Sequence, residues 1–184
     1  MKKIVLTFGL ISGAILGGLT AIMIPYCMNG HGTLDNAEVL GYTIMVLCFV
    51  LVFVGIRSYR ENHSGGAISF GKAFQVGILI TLVASAVYVV SWEIVYFNFV
   101  PDFGEKYAAH SIEKSRAQGA SPEALEKMKK DMDRFQRLYK NPFFNSGMTF
   151  MEVFPVGLLV TLVSAAVLRK RPPADGRRVA TASA

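Results

Sequence analysis

Charge is what this sequence has little of: 17% of its 184 residues are Asp, Glu, Lys or Arg, against about 25% in an average soluble domain. With 52% of the residues hydrophobic, a water-soluble fold of this size would have to leave much of that surface wet. A soluble globular domain is therefore excluded in favour of an integral membrane protein. Cysteine is also scarce. Cys27 and Cys48 are too few for a disulfide scaffold or a four-cysteine zinc site, and the spans read below place them too far apart in depth to bridge. The three histidines, His31, His63 and His110, lack H-x-x-x-H or H-E-x-x-H spacing, so no metal site is expected. No Ser-His-Asp or Cys-His arrangement is apparent, and no enzyme, metal or cofactor is expected.

What is present is four long apolar runs. Ile4 to Met28 carries no charge and exceeds the roughly 20 residues that cross a hydrocarbon core. It is longer than a secretory signal core and lacks a cleavage pattern, so it reads as a retained helix. The others run over 39–56, 74–100 and 148–168. None alternates as a membrane β-strand would. The expected fold is all-α and polytopic, with one membrane domain over 1–171 and a disordered cytoplasmic tail over 172–184.

Between the third and fourth spans, residues 102–141 read as an outer helical hairpin. Asp102 can cap a helix that stops at Gly119, and Ser121-Pro122-Glu123 reads as cap, first-turn proline and first-turn acid. Leu125, Met128, Met132, Phe135 and Leu138 or Tyr139 then recur at helical spacing until Asn141-Pro142. That stripe needs a cover: the first hairpin arm, the membrane surface, or a partner protein docking on its adaptable methionines.

Basic residues fix the expected orientation, because Lys and Arg in short loops stay cytoplasmic. Lys2, Lys3, Arg57, Arg60, Lys72, Arg169, Lys170 and Arg171 fall on one side, and the link from Asn29 to Glu38 has no Lys or Arg. Both termini are expected in the cytoplasm. The net charge of +6 is explained by the basic tail beside anionic lipid, so no nucleic-acid partner is inferred.

Three groups of residues could matter beyond spanning. Gly9, Gly13, Gly17 and Ala21 recur every fourth residue, a small-residue stripe that lets another helix approach, within the chain or from a second copy or partner. Glu93 and Glu152 are the only acids inside the proposed spans and are proton or cation candidates, with Asn98 or His31 as helpers. They lie about 31 Å beyond Lys72 and about 26 Å before Arg169 along straight helices, both toward the outer leaflet. If the third and fourth spans are neighbours, the two carboxylates could share a proton. Gly66 to Ala73 nearly spells a phosphate loop, but Ala73 replaces the hydroxyl residue needed on magnesium.

Further segments carry a resemblance: Gly41-Tyr42 with Met45, Phe53 to Arg60, Gly65 to Phe74, Tyr88, Trp92, Pro101-Asp102-Phe103 with Tyr107, and Phe154 to Leu158. In order and spacing these resemble the bacterial membrane-protein family catalogued as domain of unknown function 4199, over almost all of Ile4 to Arg171. The resemblance implies a bacterial inner-membrane protein with four helices. It implies no activity and transfers no site. Its segments concentrate at the inner link, which makes Arg57, Tyr59, Arg60 and Lys72 a rival cytoplasmic site. The first functional expectation is a non-enzymatic interaction or accessory and assembly subunit, packing through small-residue faces or the hairpin. The second is a small oligomeric transporter or channel component using Glu93 and Glu152. Orientation is directly testable: a C-terminal reporter active only in the cytoplasm should give signal, and activity of an export-dependent reporter there would reverse the topology.

Overall fold

A computed structural model describes residues 1–28 and 34–170, with the side chains of 34–38 left aside. The described residues form six helices: α1 (Lys2–Tyr26), α2 (Leu34–His63), α3 (Phe70–Asn98), α4 (Phe103–Ala117), α5 (Pro122–Tyr139) and α6 (Pro142–Leu168). Four of them, α1, α2 from Val39, α3 and α6, are long and apolar enough to cross a membrane. The chain is a helical membrane protein, as its composition requires. His31 and the tail over 172–184 lie outside the described residues.

Helix limits differ from the apolar runs for a simple reason: charge ends a hydrophobic span, but not a helix. Thus α2 passes Ile56 and continues to His63, with Arg60 and His63 in the last turn, where positive charge suits the helix dipole. It stops before Gly65 and Gly66, whose φ values of 59° and 81° suit residues without a Cβ. α3 starts at Phe70 rather than residue 74, because the Ser69 side chain accepts a bond from the Lys72 backbone N–H at 3.3 Å. α6 starts at Pro142 rather than residue 148. Asn141-Pro142 ends the hairpin but also opens the next helix: Asn141 Oδ1 accepts from the Phe143 N–H at 2.9 Å, with proline in the first turn.

The hairpin lies between α3 and α6 as expected. Ser121 caps α5 by accepting from the Ala124 N–H at 3.2 Å. Asp102 behaves differently from the expectation. It occupies the cap position of α4 but its side chain makes no cap bond; Lys106 Nζ lies 2.8 Å away instead. The bond from Lys106 holds the Asp102 carboxyl below its ordinary range.

The spanning helices pack in a closed ring, α1 beside α3, α3 beside α6, α6 beside α2 and α2 beside α1, with α2 also touching α3. The third and fourth spans are therefore neighbours. Phe49, Val52 and Ile56 of α2, Val76 and Ile80 of α3 and Val153 of α6 are fully buried between them. Leu6, Leu10, Ile22, Leu47, Val90, Leu159 and Val167 face outward, as a lipid-exposed surface allows.

The small-residue stripe of α1 lies against α3. A Cβ placed on Gly9 would sit 2.6 Å from Val83 Cβ, and one on Gly13 would sit 2.6 Å from Val87 Cβ and 2.7 Å from the Ala84 carbonyl oxygen. Gly17 meets Ser91 in the same way, and Ala21 packs on the cluster around Trp92, Val95 and Tyr96. The stripe is internal. Polar groups add links between helices: Ser12 Oγ donates to the Cys48 carbonyl at 2.9 Å, and the Thr81 and Thr161 hydroxyls are 3.0 Å apart. Cys48 is buried and Cys27 partly so, both as free thiols.

Overpacking a tight helix contact costs about 1–3 kcal/mol. Gly13→Leu is expected to lower the unfolding temperature clearly, whereas Gly18→Leu, with nothing within 4 Å of its Cβ, leaves it near wild type. Equal thermal denaturation of the two variants would contradict the close approach.

Candidate binding cavity and the basic end

The two ends of the bundle differ in chemistry. At the end holding both the start of α1 and the finish of α6, basic residues tie chain segments together. Arg60 Nη1 donates to the Leu168 carbonyl at 3.2 Å while Arg60 Nη2 lies 2.6 Å from Glu61 Oε1. Ile68 and Lys170 exchange backbone bonds at 3.0 and 2.9 Å. The Lys72 ammonium lies 5.9 Å from the centre of the Tyr59 ring, within reach of a cation–π attraction, and donates to Gln75 Oε1 at 3.0 Å. Tyr59 also stacks on His63 at 5.4 Å. Tyr59 and Lys72 are thus drawn together, Arg60 is turned to the end of α6, and Arg57 is exposed. Arg60 satisfies a carbonyl that the end of α6 leaves open, so its geometry is that of a clasp.

The opposite end is built around aromatic rings. Tyr88, Trp92 and Tyr96 recur every fourth residue and share one face of α3; all three are buried. The hairpin docks on that face through Tyr139. Trp92 Nε1 donates to the Tyr139 hydroxyl at 3.0 Å, Tyr96 meets the Tyr139 ring edge-on at 5.3 Å, and Phe103 meets Trp92 edge-on at 5.3 Å. Asn145, fully buried, donates to the Tyr139 carbonyl at 3.3 Å and accepts from Thr149 at 3.3 Å. Gln136 donates to the Gly104 carbonyl at 3.1 Å, joining the two hairpin arms. Burial raises the Tyr139 phenol above its ordinary range; Thr149 and Trp92 oppose that through hydrogen bonds, and the Glu152 charge adds to it. Tyr139 stays a neutral hydroxyl at physiological pH.

Hairpin and bundle do not close completely. Between them lies a cavity of about 870 Å³, walled by α1, α2, α3 and α6 and roofed by α4 and α5. The methionine stripe of the hairpin turns inward here: Met128, Met132, Phe135 and Tyr139 line the roof, so the first arm and this cavity are its cover. Gly41, Tyr42 and Met45 contribute from α2. Met151 and Phe135, at 63% and 39% exposure, mark an unsealed rim. The volume falls within the range of small-molecule sites, which are apolar with a few placed polar groups.

The cavity separates the two intramembrane acids. Glu152 lines it, within electrostatic reach of Tyr88 and Tyr139. Glu93 accepts from Ser146 Oγ at 2.8 Å, and Ser146 is about 9 Å along α6 from Glu152 and on a different face. Asn98 donates to the Ile94 carbonyl of its own helix at 2.8 Å. Neighbouring helices are therefore not sufficient to bring the acids to one site. No group of three or more His, Cys, Asp or Glu that could hold a metal occurs among the described residues. The four-residue spacing of Tyr88, Trp92 and Tyr96 is the signal of this shared wall that the sequence carries; the roof over it depends on how the hairpin folds back.

The family model described as Protein of unknown function (DUF4199) matches residues 7–170, and the chain belongs to that family. No curated protein and no solved structure matches it.

Removing the Tyr139 hydroxyl tests the docking. Tyr139→Phe leaves the buried indole N–H without its acceptor and should cost about 1 kcal/mol. It should also shift the emission of Trp92, the single tryptophan. An unchanged spectrum and melting curve would show that this bond does not hold the hairpin.

Proposed function

We propose that this family member is a non-enzymatic binding protein of the bacterial inner membrane, with both termini cytoplasmic, that holds an amphipathic small molecule under its outer hairpin. The observation that carries this reading is the cavity of about 870 Å³ lined by rings and methionines, placed where α3 ends and α6 begins. An amphipathic molecule at that depth can bury its chain in the cavity and keep its head at the wet rim. The orientation rests on the basic residues gathered at the other end of the bundle.

This reading fits the geometry better than either expectation drawn from sequence. An accessory subunit was to pack through the α1 stripe, but that stripe is occupied by α3, and much of the hairpin stripe lines the cavity. A transporter built on paired acids has only Glu152 in the cavity. Toward the basic end, Phe49, Ile56, Val76 and Ile80 are fully buried between the spans, and the Ser12, Thr81 and Thr161 hydroxyls beside them are bonded within the bundle.

Trp92 makes the reading measurable, since it lies in the cavity wall. A neutral alkyl maltoside brominated on its chain should quench Trp92 saturably in the full-length protein in nanodiscs. Gly41→Phe fills the cavity, as the Gly41 Cβ position has only Met23 Cε nearby, at 3.7 Å; saturable quenching should disappear while the melting curve stays close to wild type. Equal quenching in both proteins would mean the probe reaches Trp92 only from bulk lipid and would overturn the binding reading.

A further inference from the structure

The cavity wall carries charge of one sign. Its carboxylates are Glu152 from α6 and Asp131 from α5, and no Lys, Arg or His lines it among the described residues. This is unexpected on composition, because the hairpin carries more basic than acidic residues. The helical register of α5 explains it. Met128, Asp131, Met132, Phe135, Gln136 and Tyr139 share the inward face, while Lys127, Lys129, Lys130, Arg134 and Arg137 fall at positions outside that lining.

We infer that the ligand class of this cavity is a lipophilic organic cation: an apolar body carrying an ammonium-type head, held with that head toward Glu152. The inference rests on the binding reading above and adds the sign of the ligand's charge. Its apolar part matches the methionines, which adapt to irregular shapes. Its head is met by two kinds of attraction. The carboxylates supply charge complementarity, which selects against an anionic head. The rings of Tyr42, Tyr88, Trp92 and Tyr96 also line the cavity, and aromatic rings attract quaternary ammonium groups in particular. Near the hydrocarbon boundary both act in a medium less polar than water and are stronger for it.

Three probes with the same brominated alkyl chain separate charge from shape: a trimethylammonium, a maltoside and a sulfate, each titrated against Trp92 quenching of the full chain in nanodiscs of zwitterionic lipid. The cation is expected to bind about tenfold more tightly than the maltoside, and the sulfate more weakly than either. Glu152→Gln should remove most of the cation's advantage while leaving maltoside affinity near wild type, and Asp131→Asn should remove a smaller part. If Glu152→Gln does not fold, the wild-type ranking and Asp131→Asn still decide. A cation no tighter than the maltoside overturns this inference and leaves the cavity reading standing. Tightest binding of the sulfate also overturns it, pointing instead to the hairpin's outer lysines. Full cation preference in folded Glu152→Gln removes Glu152 as its cause. Saturable quenching by none of the three overturns both readings.

Discussion

The close approach of α1 to α3 is the contact on which the rest of this structure depends. In lipid there is no hydrophobic drive between helices, so association comes from packing and from a few polar bonds. Gly9, Gly13 and Gly17 bring the α1 backbone against Val83, Val87 and Ser91. That seats α3 in the ring, where it touches α1, α2 and α6. The same device recurs between α3 and α6, where a Cβ on Gly77 would meet Thr161 Cγ2 at 2.7 Å and one on Gly157 would meet Thr81 Cγ2 at 2.5 Å.

Tight packing of this kind does not reach the hairpin end. Past Gly17 the α1 face carries Thr20, Met23 and Ile24, and α3 turns to Tyr88, Trp92 and Tyr96. Rings and long side chains hold backbones apart, and the space they leave is roofed rather than filled. The roof is anchored at Tyr139, whose hydroxyl, ring and carbonyl engage Trp92, Tyr96 and Asn145 respectively. One end of the molecule is thus a solid bundle clasped by Arg60, and the other is a chamber.

This division gives the sequence features their meaning. The methionines of α5 serve as the lining of an irregular space, a role suited to flexible thioethers. Glu152, costly within a span, lies where the chamber meets its rim. Glu93 is satisfied by Ser146 from the facing helix. Two acids alike in depth and composition thus differ in environment, because six residues of helix turn a side chain well away from its starting face.

The sequence by itself determined the membrane class, the four spans, the small-residue stripe and the helical hairpin. Each is written in local composition or in a period of three to four residues, which physics reads without knowledge of the fold. It also determined that Asn141-Pro142 is a boundary, although charge and apolarity alone hid that a helix begins there. What only the tertiary structure decided is which faces meet. The stripe could have served another copy, the hairpin could have lain on the membrane, and Glu93 and Glu152 could have been partners. Those outcomes depend on the order of helices around the ring and on the rotation of each about its axis, set by the sum of many contacts between residues far apart in the chain. The chamber is the clearest case, since its walls come from α1, α2, α3 and α6 and its roof from α4 and α5, and no local pattern encodes a space that six separate segments enclose.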